Sequence, residues 1–340
     1  MSSITKPSIG REVAFLSGSR DRTRLGFGCA GLMQLASRRD RQRLLGEAFE
    51  HGIRHFDVAR MYGLGAAEGE LGRFARGRRE QITIATKFGI EPSGPAGRLA
   101  RFQGPARTAI GRFPALRAAL KRHEGTFHIT RQYEPKSARN SLKKSLEELG
   151  TEYVDLLFIH DPGATDLLAM DPLVDTLEEL RRNGYIGAWG VSGEADPCLR
   201  IRDSRDVPVV LQLREDILDP RFPGIQSNSP VITFGVLSRA LNRIVGYMEG
   251  DGERRSRWSK AVGQDCRKPE VIASLILQDA LDRNTSGGVL FSTTRPDRVR
   301  IAMEAANSIS PINAIAATSL HAFREHVRAE IVEVGRGSHV

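Results

Sequence analysis

The stretch HFDVARMYGLGAAEGELG, from His55 to Gly72, carries the pattern that decides the fold. It begins as a short apolar run that ends at Asp57, and Tyr62 follows five residues later, directly before Gly63. A surface loop has no need of a phenol and a hydrophobic core has no need of a carboxylate, whereas an active site can use both. The stretch therefore indicates a buried strand whose carboxyl end opens on a polar site.

Seven further stretches resemble the apolar run around Phe56. Each is short and mostly apolar without strict alternation, which is typical of a strand that is buried on both faces. The eight candidate strands are RLGFGC (24–29), IRHFDV (53–58), QITIATKF (81–88), VDLLFIH (154–160), YIGAWGV (185–191), VPVVLQL (207–213), PVITFGV (230–236) and GGVLFS (287–292).

Helical patterns lie between most of these strands, and several of them end at a glycine suited to a helix C-cap. Eight strands that alternate with helices predict a (β/α)8 TIM barrel of the α/β class. No Pro- or Ser-rich linker divides the chain, so we expect a single domain over residues 1–340. The helical segments are 37–52, 134–150, 171–184 and 268–284.

Two parts of the chain depart from a regular barrel. Residues 11–28 predict an N-terminal hairpin that turns at Gly18 and leads into the first strand. Between the sixth and seventh strands, Pro220 and Pro223 predict a degenerate helix, because proline interrupts regular helical hydrogen bonding.

The spacing of Gly26, Gly28 and Gly31 also indicates a second fold, because it matches G-x-G-x-x-G after a strand-like start. This is the dinucleotide fingerprint of a doubly wound fold, in which the glycines open a helix directly. Here LMQLAS intervenes before the helical pattern begins, and the strand count runs to eight. The barrel is favoured, and Gly28 is then a strand end where a ligand can approach the backbone closely.

The chain has 340 residues and a formal net charge of +9, which is concentrated in one segment. Residues 98–145 carry 12 lysines and arginines against Glu124 and Glu134. Such a segment is a solvated helix face or attracts nucleic acid, acidic lipid or an anionic small molecule. No run of 18 apolar residues or secretory signal is present, and the three cysteines lack metal-ligand spacing. We expect a cytoplasmic protein with free thiols, no bound metal and no membrane or nucleic-acid partner.

Four polar residues fall at the carboxyl ends of three consecutive predicted strands: Asp57, Tyr62, Lys87 and His160. Residues at these ends line the active face of a barrel. An ammonium close to a phenol stabilises phenolate and lowers the pKa of the tyrosine, which makes it a better proton donor. Asp57 can pair with the buried ammonium, and His160 can hold a carbonyl oxygen beside the phenol. Such a site can polarise a carbonyl and protonate the alkoxide that forms when hydride is added to it. None of these side chains stores a hydride, so a nicotinamide cofactor must carry it.

The sequence resembles the aldo-keto reductase family from about Arg24 to Asn307. DVARMYGLGAAEGELG resembles the family signature D-x-A-x-x-Y-G-x-G-x-x-E-x-x-L-G, and ITIATKFG resembles its lysine strand. GTEYVDLLFIHDP is similar to its histidine strand, and LEELRRNGYIGAWGVSG to the lead into its fifth strand. The resemblance implies carbonyl reduction, or the reverse oxidation of an alcohol or aldose. It implies Tyr62 as general acid, Lys87 and Asp57 as its tuning pair, and His160 as the group that orients the carbonyl.

The resemblance also implies contacts to the nicotinamide end of the cofactor. Ser192 and Gln212 match residues that hydrogen-bond the carboxamide in the family. Phe234 stands where an aromatic ring, usually Tyr, stacks on the nicotinamide. Gly193 departs from the family pattern, which has Asn after the serine, and removes one amide contact.

Leu237 and Ser238 match the family's loop beside the pyrophosphate, and STTRPDRVRIA (292–302) matches its adenosine-phosphate segment. Arg298 is the implied partner of a 2′-phosphate, because guanidinium suits that dianion. Ser292 and Ala302 replace a Lys and an Asn found in some members. We therefore expect NADPH, with NADH left open. The predicted cofactor-binding residues are Gly28, Ser192, Gln212, Phe234, Leu237, Ser238, Ser292, Thr293 and Arg298.

An insertion of about residues 92–133 separates Lys87 from His160, and we expect it to emerge on the active face as a basic flap over the barrel mouth. Two other functions remain open: a non-catalytic regulatory subunit that keeps the barrel and its cofactor, and nucleic-acid binding by the insertion. The intact catalytic residues favour the enzyme, and the few aromatic residues of the insertion disfavour nucleic acid.

Overall fold

A computed structural model gives the fold for residues 23–92, 129–163, 170–204, 209–220, 231–308 and 314–332. These described residues contain ten strands and ten α-helices. The strands are β1 Leu25–Gly28, β2 His55–Asp57, β3 Thr83–Phe88, β4 Ile90–Pro92, β5 Ile129–Arg131, β6 Val154–His160, β7 Ile186–Gly193, β8 Val210–Arg214, β9 Val231–Phe234 and β10 Gly288–Phe291. The helices are α1 Arg38–Glu50, α2 Ala66–Ala75, α3 Pro135–Leu149, α4 Asp171–Arg182, α5 Ala195–Asp203, α6 Ser238–Met248, α7 Gly252–Val262, α8 Pro269–Arg283, α9 Pro296–Asn307 and α10 Ala314–Val327.

Eight of the strands form a closed parallel barrel in the order β1-β2-β3-β6-β7-β8-β9-β10. The sheet closes where Leu25 on β1 pairs with Val289 on β10. The eight candidate strands of the sequence all lie in this barrel, so the (β/α)8 prediction is confirmed. The doubly wound alternative is wrong, because an open sheet would leave β1 and β10 as unpaired edges.

Both faces of the barrel strands are largely buried, as their mostly apolar sequences without strict alternation predict. The outer faces pack against the surrounding helices, as Leu44 of α1 and Leu177 of α4 show. The interior is filled by a smaller cluster of Ala85, Leu156, Phe158, Val210, Ile232 and Leu290. The barrel is therefore a packed core rather than a pore, and ligands are confined to its ends.

The helix boundaries follow local signals. The Ser37 hydroxyl caps α1 by accepting a hydrogen bond from the Asp40 amide at 3.0 Å. Helix α3 ends at Gly150, which takes the left-handed conformation with φ of 63° that only glycine adopts without strain. Helices α7 and α10 were not predicted, and they enclose a second apolar cluster around Trp258 and Phe323.

The insertion leaves and re-enters the barrel through a short antiparallel pair, β4 and β5, in which Ile90 pairs with Arg131. Residues 93–128 and the predicted hairpin around Gly18 lie outside the described residues, so both expectations remain predictions, as does the single domain over 1–340. No helix occurs in the described residues 209–220, and the rest of the predicted degenerate helix is also outside the described ranges.

Where the structure describes the chain, it contains no helix long and apolar enough to cross a membrane. Its three cysteines are buried and form no disulfide. The described residues also contain no group of three or more His, Cys, Asp or Glu side chains placed to hold a metal ion.

Candidate active site

The four predicted catalytic residues meet at the carboxyl end of the barrel. Asp57 ends β2 and Lys87 lies one residue before the end of β3, while His160 is the last residue of β6. Tyr62 begins the short 3-10 turn Tyr62–Gly65 that connects β2 to α2. Parallel strands bring their carboxyl ends to one face, which explains why residues far apart in sequence share this site.

Lys87 and Asp57 form a buried ion pair at the floor of the site. The Lys87 Nζ donates to Asp57 Oδ1 and also to the Val58 carbonyl oxygen at 3.1 Å. Both side chains are less than 5% exposed, so neither charge is screened by water. Burial lowers the pKa of Lys87, but the charge of Asp57 and its hydrogen bond outweigh burial, and the net direction is upward. Lys87 is therefore an ammonium at neutral pH.

The second Asp57 oxygen joins two residues predicted to bind cofactor. Gln212 Nε2 donates to Asp57 Oδ2 at 2.7 Å, and the Ser192 hydroxyl donates to Gln212 Oε1 at 2.5 Å. Gln212 and Ser192 are each 1% exposed, on neighbouring strands β8 and β7. One continuous hydrogen-bonded chain thus runs from Lys87 across the barrel to Ser192. Sequence spacing does not reveal this link, because Lys87, Asp57, Gln212 and Ser192 lie on four different strands.

Tyr62 lies above this pair. Its ring centroid is 5.4 Å from the Lys87 Nζ and 6.3 Å from the His160 ring, which stands nearly perpendicular to it at 86°. Burial raises the pKa of Tyr62, whereas the charge of Lys87 and its hydrogen bond lower it, and the net direction is upward. The ammonium thus acts on the pKa of Tyr62 in the direction that the sequence predicts, but burial, which the sequence does not show, outweighs it. Tyr62 is therefore a neutral phenol with a proton to donate.

His160 is neutral at physiological pH. Burial lowers its pKa to about 3, and the positive charges of Lys87 and Arg131 act in the same direction. A neutral imidazole carries one N–H donor, which is sufficient to hold a carbonyl oxygen. Because His160 is neutral, the positive charge that acts on the Tyr62 phenol is the ammonium of Lys87.

A buried network that sequence reasoning missed supports the turn that carries Tyr62. Arg60 Nη1 donates to Glu68 Oε2 at 2.6 Å, and the Thr86 hydroxyl donates to Glu68 Oε1 at 2.7 Å. Glu68 is fully buried, and a Cβ at Gly65 would approach the Arg60 Nη1 to 3.3 Å. The turn therefore wraps closely around the guanidinium and is tied to the strand that bears Lys87. Glu68 is the glutamate of the signature D-x-A-x-x-Y-G-x-G-x-x-E-x-x-L-G, and nothing in its local sequence indicates this contact.

The remaining predicted cofactor residues lie around the same mouth. Phe234 ends β9, half-buried, with the Arg214 guanidinium 5.0 Å from its ring centroid. The Ser292 hydroxyl, directly after β10, donates to the Gly28 carbonyl oxygen at 2.8 Å across the seam of the barrel. Leu237 and Ser238 begin α6, Thr293 precedes α9, and Arg298 is exposed in the first turn of α9.

The helix ends at this mouth suit an anionic cofactor. Helices α6 and α9 both begin without a side chain that accepts from their first amides. Helices α2, α3, α4, α5 and α8 also lack such a cap, and α1 and α7 are capped by Ser37 and Asp251, so it is the position of α6 and α9 at the mouth that matters. Uncapped N-terminal amides and the helix dipole favour phosphate oxygens. With buried Ser192 and Gln212 at the opposite side, the donors present fit a dinucleotide that spans from β7 to α9.

Known proteins match this chain in sequence and in fold. The model of the Aldo/keto reductase family matches residues 24–222. A D-threo-aldose 1-dehydrogenase of a Pseudomonas species is 31% identical over 186 residues, which is 52% of this chain and 51% of that protein. Pyridoxal 4-dehydrogenase of Microbacterium luteolum is 34% identical over 183 residues, 50% of this chain and 51% of that protein. The chain thus spans about half the length of these two relatives.

Among solved structures, the holo form of the aldo-keto reductase AKR11C1 from Bacillus halodurans superposes with a TM-score of 0.66. The superposition covers 88% of this chain and 91% of the other, at 24% identity. At that identity the likeness concerns the barrel fold.

Proposed function

This chain belongs to the aldo/keto reductase family, and on that premise we propose that it interconverts a carbonyl and an alcohol. The reaction is the nicotinamide-dependent reduction of an aldehyde or ketone, or the reverse oxidation of an alcohol or aldose. The observation that carries the proposal is the buried Lys87–Asp57 ion pair directly beneath the Tyr62 ring. Burying an ion pair of this kind costs desolvation free energy. The cost has a functional reason where the ammonium stabilises a phenolate that forms during turnover.

Tyr62 is the general acid of the reduction. A reduced nicotinamide, when bound, supplies the two electrons and the hydrogen as hydride to the carbonyl carbon. The Tyr62 hydroxyl gives its proton to the carbonyl oxygen, so the C=O bond becomes a C–OH single bond and Tyr62 becomes phenolate. Lys87 stabilises that phenolate through its charge, and Asp57 keeps Lys87 charged and fixed in position.

His160 orients the substrate. As a neutral imidazole it donates one hydrogen bond to the carbonyl oxygen and leaves the proton transfer to Tyr62. Its ring centroid lies 6.3 Å from that of Tyr62, so both side chains border the position proposed for the carbonyl oxygen. For oxidation the same steps run in reverse, with Tyr62 phenolate taking the hydroxyl proton.

For the cofactor we propose NADPH, with NADH as the alternative. Ser192 and Gln212 bind the carboxamide and Phe234 packs against the nicotinamide ring. From there the cofactor would extend toward α9 along a path bordered by Gly28, Leu237, Ser238, Ser292 and Thr293. Arg298 meets the 2′-phosphate there.

A spectrophotometric screen tests the proposal against a non-catalytic regulatory subunit. Absorbance of the reduced nicotinamide is followed with NADPH and NADH over aldehydes, ketones, aldoses and pyridoxal, since two relatives carry aldose and pyridoxal in their names. Turnover that is lost in Tyr62→Phe supports the enzyme. Tight cofactor binding with no turnover across the panel supports the regulatory subunit instead.

The pH dependence of reduction follows from the charge states of the site. Tyr62 must be protonated, and its pKa is raised above the ordinary 10.0, so the alkaline loss of kcat/KM is expected above pH 10. His160 is neutral down to a pH of about 3, so it causes no loss near neutrality. We expect a flat profile through the neutral range in a steady-state assay. A descending limb near pH 7 that vanishes in His160→Gln would contradict these charge states.

Arg298→Ala is expected to weaken NADPH binding far more than NADH binding. A lost charge-assisted contact to the 2′-phosphate costs about 1.5–3 kcal/mol. Fluorescence titration with both cofactors measures the difference. Arg300→Ala is the matched control, because Arg300 is exposed on the same helix and pairs with Glu304 at 2.5 Å. Equal losses for the two cofactors in Arg298→Ala would remove Arg298 from the role of discriminating them.

A further inference from the structure

The returning strand of the insertion reaches the end of the strand that carries His160. Tyr133 follows β5 by two residues, and its hydroxyl lies 2.7 Å from the carbonyl oxygen of His160 and 3.0 Å from that of Asp161. The Tyr133 hydroxyl therefore contacts two consecutive carbonyl oxygens, that of His160 and that of the next residue, Asp161. This contact has no part in the chemistry described above.

The backbone at that point is unusual. Asp161 has a φ of 50°, and in the described part of the chain it is the only residue other than glycine with a positive φ. The left-handed region is unfavourable for residues with a Cβ and persists only where surrounding contacts hold it. The Asp161 amide donates to the Ser192 carbonyl oxygen at 2.6 Å, which fixes one side of the turn to β7.

The Asp161 side chain is held by the same returning strand. Arg131 Nη2 donates to Asp161 Oδ2 at 2.8 Å, and both side chains are about half exposed. Gly193 leaves room for this carboxyl group, because a Cβ there would come within 3.3 Å of Asp161 Oδ1. The position of the Asp161 carboxyl group thus gives a local structural reason for Gly193, where the family pattern has asparagine.

Tyr133 itself is tightly seated. A Cβ at Gly89 would lie 2.2 Å from the Tyr133 ring, and Gly89 has a φ of 104°, so the ring packs directly on the glycine backbone. The Gln132 amide donates to the Gly89 carbonyl oxygen at 2.8 Å. The end of β3, the strand of Lys87, is therefore joined through Tyr133 to the end of β6, the strand of His160.

We propose that Tyr133 and Arg131 are positioning residues for His160, and that they set the direction of its imidazole by holding the His160–Asp161 turn in its left-handed form. The proposal rests on the proposed function, because it takes His160 as the group that orients the carbonyl. Without the two side chains the turn relaxes toward common backbone angles, and the imidazole rotates away from the perpendicular arrangement with Tyr62.

Tyr133→Phe is the first test, because it removes the hydroxyl and keeps the ring on Gly89. We expect kcat/KM for the carbonyl substrate to fall about tenfold, since the hydrogen bond that the hydroxyl shares between the two carbonyl oxygens is lost, with a lower kcat and a higher carbonyl KM. The dissociation constant of the cofactor should not change. Tyr153→Phe is the matched control, since Tyr153 precedes the other end of β6 and its hydroxyl contacts Glu80 at 3.1 Å. The control should keep wild-type kinetics.

Arg131 gives a second, independent variant on an exposed side chain. Arg131→Gln is expected to raise the carbonyl KM and lower kcat by a few fold, and Arg131→Lys should restore most of the loss because it keeps the charge opposite Asp161. A readout without turnover is ¹⁵N NMR of the histidine side chains, with the His160 signals assigned from His160→Gln. These signals should shift in Tyr133→Phe and stay unchanged in Tyr153→Phe.

The outcomes separate this inference from the function on which it rests. If Tyr62→Phe inactivates the protein but Tyr133→Phe and Arg131→Gln retain kcat/KM within twofold and leave the His160 signals in place, the positioning role is overturned. If Tyr62→Phe retains activity, the proposed chemistry is at fault. Equal losses in Tyr133→Phe and Tyr153→Phe would show a general structural effect, which also overturns the positioning role.

Discussion

Replacement of Tyr62 by Phe is expected to lower kcat/KM for carbonyl reduction by about 10²–10⁴-fold, the range for loss of a general acid. The ring stays in place above Lys87, so the site keeps its shape and loses only the proton donor. Cofactor affinity should remain close to that of the wild type, because the buried Ser192–Gln212 pair is untouched. Fluorescence titration and turnover on the same preparation separate the two effects.

Tyr247→Phe is the control for this experiment. Tyr247 lies on α6 and its hydroxyl contacts Glu330 at 3.0 Å. It is remote in sequence from the four proposed catalytic residues and packs against the second apolar cluster. It should keep full activity. Activity of Tyr62→Phe within a few fold of the wild type would show that another group donates the proton.

Asp57→Asn is expected to lower the free energy of unfolding by about 3–5 kcal/mol, because it leaves the buried Lys87 ammonium without its counter-charge. The substitution keeps the size of the side chain, so the loss reports charge rather than packing. Lys87 is 2% exposed, which prevents water from compensating. Urea denaturation monitored by circular dichroism measures the effect at constant protein concentration.

The pH dependence of this loss has a definite sign. Asp57 raises the pKa of Lys87, so the stabilisation is fully present below the ordinary lysine pKa of 10.5 and is lost as pH rises through the higher folded value. The difference between wild type and Asp57→Asn should therefore be constant through the neutral range.

Glu179→Gln is the matched control for charge removal. Glu179 accepts two hydrogen bonds from Arg139, at 3.1 and 2.6 Å, but both side chains are nearly half exposed. Solvent screens such a pair, so its loss should be much smaller than that of the buried one. The double variant Asp57→Asn/Lys87→Met should regain part of the stability, since no unpaired charge remains. Equal losses in Asp57→Asn and Glu179→Gln would show that the Lys87–Asp57 pair is solvated.

The sequence by itself determined the barrel and the place of its active face. Strands such as Val154–His160 are mostly apolar without strict alternation, and this local pattern indicates a strand buried on both faces. Asp57 and His160 end their apolar runs, and Lys87 lies one residue before the end of its own. Parallel strands gather such residues at one mouth without further information. Helices α7 and α10, which enclose Trp258 and Phe323, stand outside the regular alternation of strand and helix, so the eight-strand pattern does not predict them.

Tertiary structure alone decided how those residues are connected. Gln212 and Asp57 are 155 positions apart, and their hydrogen bond exists because β8 and β2 lie across the barrel from each other. The same holds for Thr86 against Glu68 and for Tyr133 on the turn after His160. The direction of the Tyr62 pKa also depended on burial, which sequence spacing does not reveal. Each of these contacts joins polar groups that follow no sequence periodicity, so only the tertiary structure determines which of them meet.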